Sequence, residues 1–148
     1  MRPGLAAAPA QTAGRADGQV DPPGLHVEVL RYGGGGIPSD NQGVGSRRAA
    51  GFLTFVHQDA VGGLQVERDG VFVDVPPMPA AFVVNIGEMF QLITGGYFKA
   101  TVHRVVSPPA GVERVSLAYF FNPNLEAPLT PVELPTVLSS ASVGGLAR

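Results

Sequence analysis

Glycine and proline recur so often along this chain that little room is left for a long regular element between them. Among 148 residues there are 20 glycines and 14 prolines. Breakers at that density disfavour a helical bundle and favour short strands joined by tight turns. The intervening segments carry the matching pattern. LHVEVLRY (25–32) alternates, with Leu25, Val27, Val29 and Arg31 on one side and His26, Glu28, Leu30 and Tyr32 on the other, as a strand requires. GFLTFVHQD (51–59) is β-branched and aromatic, and AVGG (60–63) reads as a turn. LQVERDG (64–70) and VFVDVPP (71–77) form a hairpin in which Asp69-Gly70 supplies the positive-φ positions of a type I′ turn. AFVVNIG (81–87) is an almost unbroken apolar run and predicts a strand buried on both faces. EMFQLITGG (88–96) is the one helix, stopped by Gly95-Gly96. FKATVHRVVSP (98–108) and ERVSLAYFFNPN (113–124) are two further strands across a Pro-Gly turn, and GGGGIPSDNQGVG (33–45) predicts a long loop. About seven strands and one short helix predict a mainly all-β sandwich or jelly roll; without βαβ alternation a doubly wound sheet is excluded.

The length suits one domain with a core of its own. The Ala-, Gly- and Pro-rich stretch 1–24 predicts a disordered tail, 25–127 the folded domain, and 128–148 an irregular C-terminal tail. Ten basic against twelve acidic residues, a net charge of −2, argue against broad electrostatic binding of nucleic acid or an anionic membrane surface. No apolar run approaches the roughly 18 residues that span a bilayer. The absence of Cys removes disulfides, thiolate metal sites and a Cys nucleophile, and agrees with a cytoplasmic location.

Three His are present: His26, His57 and His103. His57 and Asp59 form an H-x-D triplet, and residues two apart on a strand share a face. With His103 they would make two imidazoles and a carboxylate, the facial set of non-haem Fe(II) oxygenases. The plainer reading is that His57 and Asp59 end a strand and set up the following turn.

A longer pattern decides between them. GGLQV, the VPP-x-P-x-AFVVNIGE block, Y-x-x-x-x-HRVV, and R-x-S followed by FFNPN together resemble the C-terminal half of the isopenicillin N synthase-like 2-oxoglutarate/Fe(II)-dependent dioxygenases, from about Leu25 to Asn124. The resemblance implies a double-stranded β-helix, here a truncated jelly roll. It also implies an oxidoreductase that uses Fe(II) and 2-oxoglutarate to oxidise a small organic substrate. By the same resemblance Arg114 and Ser116 bind the distal carboxylate of 2-oxoglutarate, with Tyr32 beside them, and His103 is a metal ligand. The family's own H-x-D pair precedes its G-F-L-T strand. In this chain those two positions hold Arg47 and Ala49, within Gly45-Ser46-Arg47-Arg48-Ala49-Ala50-Gly51. The triplet at 57–59 matches a family segment that is not a ligand.

Two of three iron ligands are therefore replaced, and the expectation is an impaired or inactive enzyme. A guanidinium at roughly 5 Å from a dication, in an effective dielectric constant near 20, adds about 6–7 kcal/mol of repulsion before relaxation. Three readings of the replacement follow: a dead fragment of the enzyme, a metal-free binding module in which Arg47 and Arg114 clamp a dicarboxylate at both ends, or an aberrant splice or gene model across codons 40–52. The uncovered sheet surface that a truncated jelly roll leaves predicts self-association. The joint substitution Arg47→His with Ala49→Asp is expected to confer Fe(II) binding that the parent chain lacks, measured as iron retained per chain after desalting.

Overall fold

The computed structural model describes residues 23–33, 42–124 and 126–135. Most of the two expected tails, and residues 34–41 of the expected loop, lie outside them. Eight strands and one helix follow in chain order: β1 (Gly24–Gly33), β2 (Gln42–Arg47), β3 (Leu53–Gln58), β4 (Leu64–Arg68), β5 (Val71–Asp74), β6 (Val83–Ile86), α1 (Glu88–Ile93), β7 (His103–Val106) and β8 (Glu113–Asn122). They form two four-stranded antiparallel sheets, ordered β1-β8-β3-β6 and β2-β7-β4-β5. Apart from the β4–β5 hairpin, each successive strand enters the opposite sheet. This is the jelly-roll arrangement that the sequence predicts. No helix among the described residues is long and apolar enough to cross a membrane.

The local signals act as their chemistry requires. Asp69 and Gly70 have φ of 52° and 78°, so the β4–β5 turn has the positive-φ pair that right-twisted strands need. Gly95 and Gly96, at φ 61° and 82°, end α1, where the Gly96 N–H donates to the Gln91 carbonyl at 2.8 Å.

Three expectations are corrected. Part of the 33–45 loop, and the two residues after it, form β2, which pairs with β7 through a bulged register; a non-local partner supplies hydrogen bonds that the glycine-rich text does not announce. The strand over 98–108 shortens to His103–Val106. Upstream of it the Phe98 and Ala100 N–H groups donate to the Thr94 hydroxyl and the Gln91 side-chain oxygen, so α1 satisfies those donors, and only the Val102 carbonyl still accepts from β4, from the Glu67 N–H at 2.8 Å. Finally, β6 is an edge strand with one open face, not a strand buried on both: Val84 is 51% exposed.

That open face belongs to the whole first sheet. Val27, Tyr119, Phe55 and Val84 form one cross-strand row, and Leu25, Phe121, Leu53 and Ile86 another. Leu25, Val27, Val29, Phe82 and Val84 are all at least half exposed. The sheet is thus apolar on both sides and buried on one.

The segment between β2 and β3 is held through its backbone. The N–H groups of Gly87 and Glu88 donate to the carbonyls of Phe52 and Ala49 at 2.7 and 2.8 Å, and the Met89 N–H lies 3.2 Å from the Gly51 carbonyl oxygen. Donors at the start of α1 that have no partner within the helix are satisfied in this way. A Cβ at Gly87 would lie 1.9 Å from the Gly51 carbonyl oxygen, a distance that forces the two backbones apart. Gly87→Ala is expected to lower unfolding free energy by more than about 2 kcal/mol in urea titration, whereas Gly70→Asn, at a position with open space but positive φ, is expected to cost less, about 1 kcal/mol.

Candidate functional site

Alternation along β8 sends Arg114, Ser116, Ala118 and Phe120 into the space between the sheets. Leu30 and Tyr32 of β1 and Thr54 and Val56 of β3 join them from the same sheet, and Leu64, His103 and Val105 close the cavity from the other. The enclosed volume is about 360 Å³, within the range of small-molecule pockets.

Arg114 is fully buried. Its Nε donates to the Gly62 carbonyl, Nη1 to the Ser116 hydroxyl at 3.0 Å, and Nη2 to the Gln58 Oε1 at 3.3 Å. The guanidinium carbon lies 4.8 Å from the centre of the Tyr32 ring, close enough for cation–π attraction. All three hydrogen-bond acceptors are neutral, and Arg114 forms no ion pair with a described residue. A buried charge without a counter-ion is costly. The Tyr32 hydroxyl is buried in the same region without a hydrogen-bond partner among the described residues.

The Gly62-Gly63 turn lets the backbone come this close. Gly62 and Gly63 have φ of 80° and 92°, and a Cβ on Gly63 would meet the Val106 carbonyl oxygen at 2.8 Å. These glycines, read from sequence as a turn, also present the carbonyl that Arg114 grips. Gln58 ties the cluster together: it also accepts from the Leu64 N–H at 3.4 Å and donates to the Val75 carbonyl at 3.2 Å. On the far side of Tyr32, a Cβ at Gly43 would sit 2.8 Å from the ring, so β2 packs its backbone against the tyrosine.

The opposite wall brings together the other residues singled out from sequence. Arg47 pairs directly with His103 across β2 and β7, and Arg47, Arg48, Ala49 and His103 all line the cavity. His103 Nδ1 lies 3.2 Å from the Thr101 carbonyl oxygen; a carbonyl only accepts, so Nδ1–H is the donor of this bond, and Nε2 is the other ring nitrogen. Arg47 Nε donates to the Gly45 carbonyl at 3.3 Å and Arg48 Nε to the Ala100 carbonyl at 3.2 Å. Among the described residues no group of three or more His, Cys, Asp or Glu is placed to hold a metal ion.

His57 and Asp59 are elsewhere. The His57 ring is exposed and packs on Phe82 at 5.7 Å between centroids. The Asp59 carboxylate accepts from the Val61 N–H at 3.0 Å and from the Val115 N–H, capping the turn and tying it to β8. His26 lies 3.1 Å from Glu28 and packs on Phe120, near the end of β1 on its inward face.

A sequence profile described as the 2OG-Fe(II) oxygenase superfamily matches residues 25–123. The chain belongs to that superfamily. The oxygenases of this family are oxidoreductases, and their jelly roll is the fold described above. The chain is 42% identical over 83 residues to 1-aminocyclopropane-1-carboxylate oxidase 1 of Cucumis melo, covering 56% of this chain and 26% of the oxidase. A full-length Neurospora crassa protein in complex with alpha-KG and thymine superimposes with a TM-score of 0.68 at 33% identity, over 75% of this chain and 37% of that one. JOX2 in complex with 2OG, Fe and JA superimposes with a TM-score of 0.70 at 34% identity, over 78% and 35%. The chain thus spans about a quarter of the length of the curated relative and little more than a third of the solved ones. Solved members of the superfamily hold 2-oxoglutarate, iron and small organic molecules.

Two positioning residues of this oxygenase fold escape a reading of sequence alone. Gln58 and Gly62 touch Arg114 from 56 and 52 positions away, beyond any local periodicity; Gln58 is legible only as the third inward position after Thr54 and Val56. Gln58→Leu leaves Arg114 Nη2, the Leu64 N–H and the Val75 carbonyl without their described side-chain partner. A loss of about 2–3 kcal/mol is expected, read from the urea midpoint at unchanged m-value.

Proposed function

We propose that this chain keeps the carboxylate-binding half of a 2-oxoglutarate/Fe(II) oxygenase site and has lost the iron-binding half. It is a carboxylate-binding pseudoenzyme on that scaffold, with severely impaired or no oxygenase turnover. One observation carries the reading: Arg114 is completely buried, gripped by neutral acceptors and stacked on Tyr32, with no acid among the described residues to balance it. A carboxylate is the complementary ligand, since a guanidinium binds one through charge-assisted hydrogen bonds. Ser116 and the unpartnered Tyr32 hydroxyl stand ready to add hydrogen bonds. The distal carboxylate of 2-oxoglutarate is the assigned occupant.

The donor set does not fit Fe(II). His103 is the single family ligand, Arg47 faces it across the strand pair, and Ala49 has no donor side chain. A lone imidazole opposite a cation supplies neither the coordination number nor the negative charge that a ferrous ion requires. No oxidative step is therefore assigned to these residues.

Two measurements test the proposal. In EDTA, 2-oxoglutarate is expected to raise the melting temperature in a concentration-dependent way, and Arg114→Ala to abolish the rise. With Fe(II) and ascorbate, no succinate above background is expected; succinate formation that disappears in His103→Ala overturns the loss of oxygenase chemistry.

The open face of the first sheet favours a second role, association of two copies. Contiguous apolar surface of this kind is commonly covered in solution. Light scattering is expected to report a species larger than the monomer, and Val29→Lys with Val84→Lys to return the monomer mass.

A further inference from the structure

We propose that Arg47 is a second carboxylate anchor, so that the cavity selects short aliphatic dicarboxylates and holds them without any metal. This rests on the assignment of Arg114 as the first anchor and extends it to the other end of the ligand.

The charge inventory of the cavity carries the inference. Arg47, Arg48 and Arg114 line it against one carboxylate, Glu28. Glu28 lies on the inward face of β1 with its carboxylate 3.1 Å from the His26 ring. Neither Arg47 nor Arg48 forms an ion pair with a described residue. A cavity with an excess of two fixed positive charges is matched by a dianion, whereas a monoanion leaves one guanidinium uncompensated.

Arg47 is chosen over Arg48 by its place. It stands directly opposite His103, within the first strand pair of the second sheet, while Arg114 projects from the first sheet. Its described hydrogen bond uses Nε alone, toward its own strand at Gly45, which leaves the two Nη groups as a fork of donors. Arg48 also uses Nε alone, toward the Ala100 carbonyl, but it lies past the end of β2 and has no register partner on β7. With Nδ1 turned to the Thr101 carbonyl, the His103 Nε2 is left to hydrogen-bond a ligand near that end. The site needs no dication: one guanidinium replaces the positive charge that a metal supplies at this wall.

Calorimetric titration in EDTA tests the inference, with 2-oxoglutarate and glutarate as dicarboxylate probes and pentanoate as the one-ended control. Both dicarboxylates are expected to bind more tightly than pentanoate. Arg47→Gln is expected to weaken the dicarboxylates by about tenfold or more and to leave pentanoate unchanged; Arg47→Lys, which keeps the charge without the fork, is expected to recover part of the loss. Arg114→Gln is expected to weaken all three. Circular dichroism of each variant checks that the fold is kept, which the exposed position of Arg47 favours. Equal affinities of glutarate and pentanoate, an unchanged dicarboxylate affinity in Arg47→Gln, or dicarboxylate binding that appears only with added Fe(II) overturns the second anchor. If the two-ended selectivity fails while pentanoate binding still depends on Arg114, the first anchor stands alone; if Arg114→Gln changes nothing, both assignments fall together.

Discussion

A guanidinium buried between two sheets is the constraint around which the rest of this molecule is arranged. Removing Arg114 from water is unfavourable, and the fold answers with three neutral acceptors and an aromatic face. Each of these comes from a different place in the chain: the turn before β4, the end of β3, the second turn of alternation along β8, and the last residues of β1. To bring them together, the β1-β8-β3 order must be kept, Gly62 and Gly63 must hold positive φ, and Gly43 must leave room for the Tyr32 ring. The charge itself is left without an opposite among the described residues. A structure that keeps a cation in its interior and balances it only with dipoles retains the geometry of a binding site at some cost to stability.

The two walls of the cavity have different histories of constraint. On the Arg114 wall, side chains and backbone interlock, so a change at Gln58 or Gly63 disturbs several partners at once. On the Arg47 wall, the side chains are exposed at the rim and each makes a single described hydrogen bond to a carbonyl. The character of that wall is therefore set by a few replaceable side chains, while the setting of Arg114 is fixed by the architecture.

Much of the fold was legible in the sequence because antiparallel strands with one buried face alternate visibly. β1, β3, β8 and the β4–β5 hairpin all do so, and Asp69-Gly70 and Gly95-Gly96 mark a turn and a helix end by backbone necessity. What was not legible depends on partners distant in sequence. β2 has little β-branched content and exists because β7 accepts it. The residues before β7 look like strand, but the Phe98 and Ala100 donors find their acceptors on α1. β6 looks like an interior strand because its outward residues are apolar, yet the sheet ends there. Arg114 and Ser116 could be paired from their spacing of two, and Tyr32 and His103 from the family motifs; Gln58 and Gly62 could not, since their contacts with Arg114 close only when three strands and a turn assemble.

The backbone attachment of residues 49–52 to the start of α1 has a wider meaning. Main-chain carbonyls do the holding there, and a carbonyl is the same whatever side chain it accompanies. On the reading proposed above, this stretch can thus exchange imidazole and carboxylate for guanidinium and methyl without asking the scaffold to refold. Architecture and reactivity are uncoupled along this short run, which makes it a place where an oxygenase framework can drift into a ligand receptor, and where the reverse journey stays open.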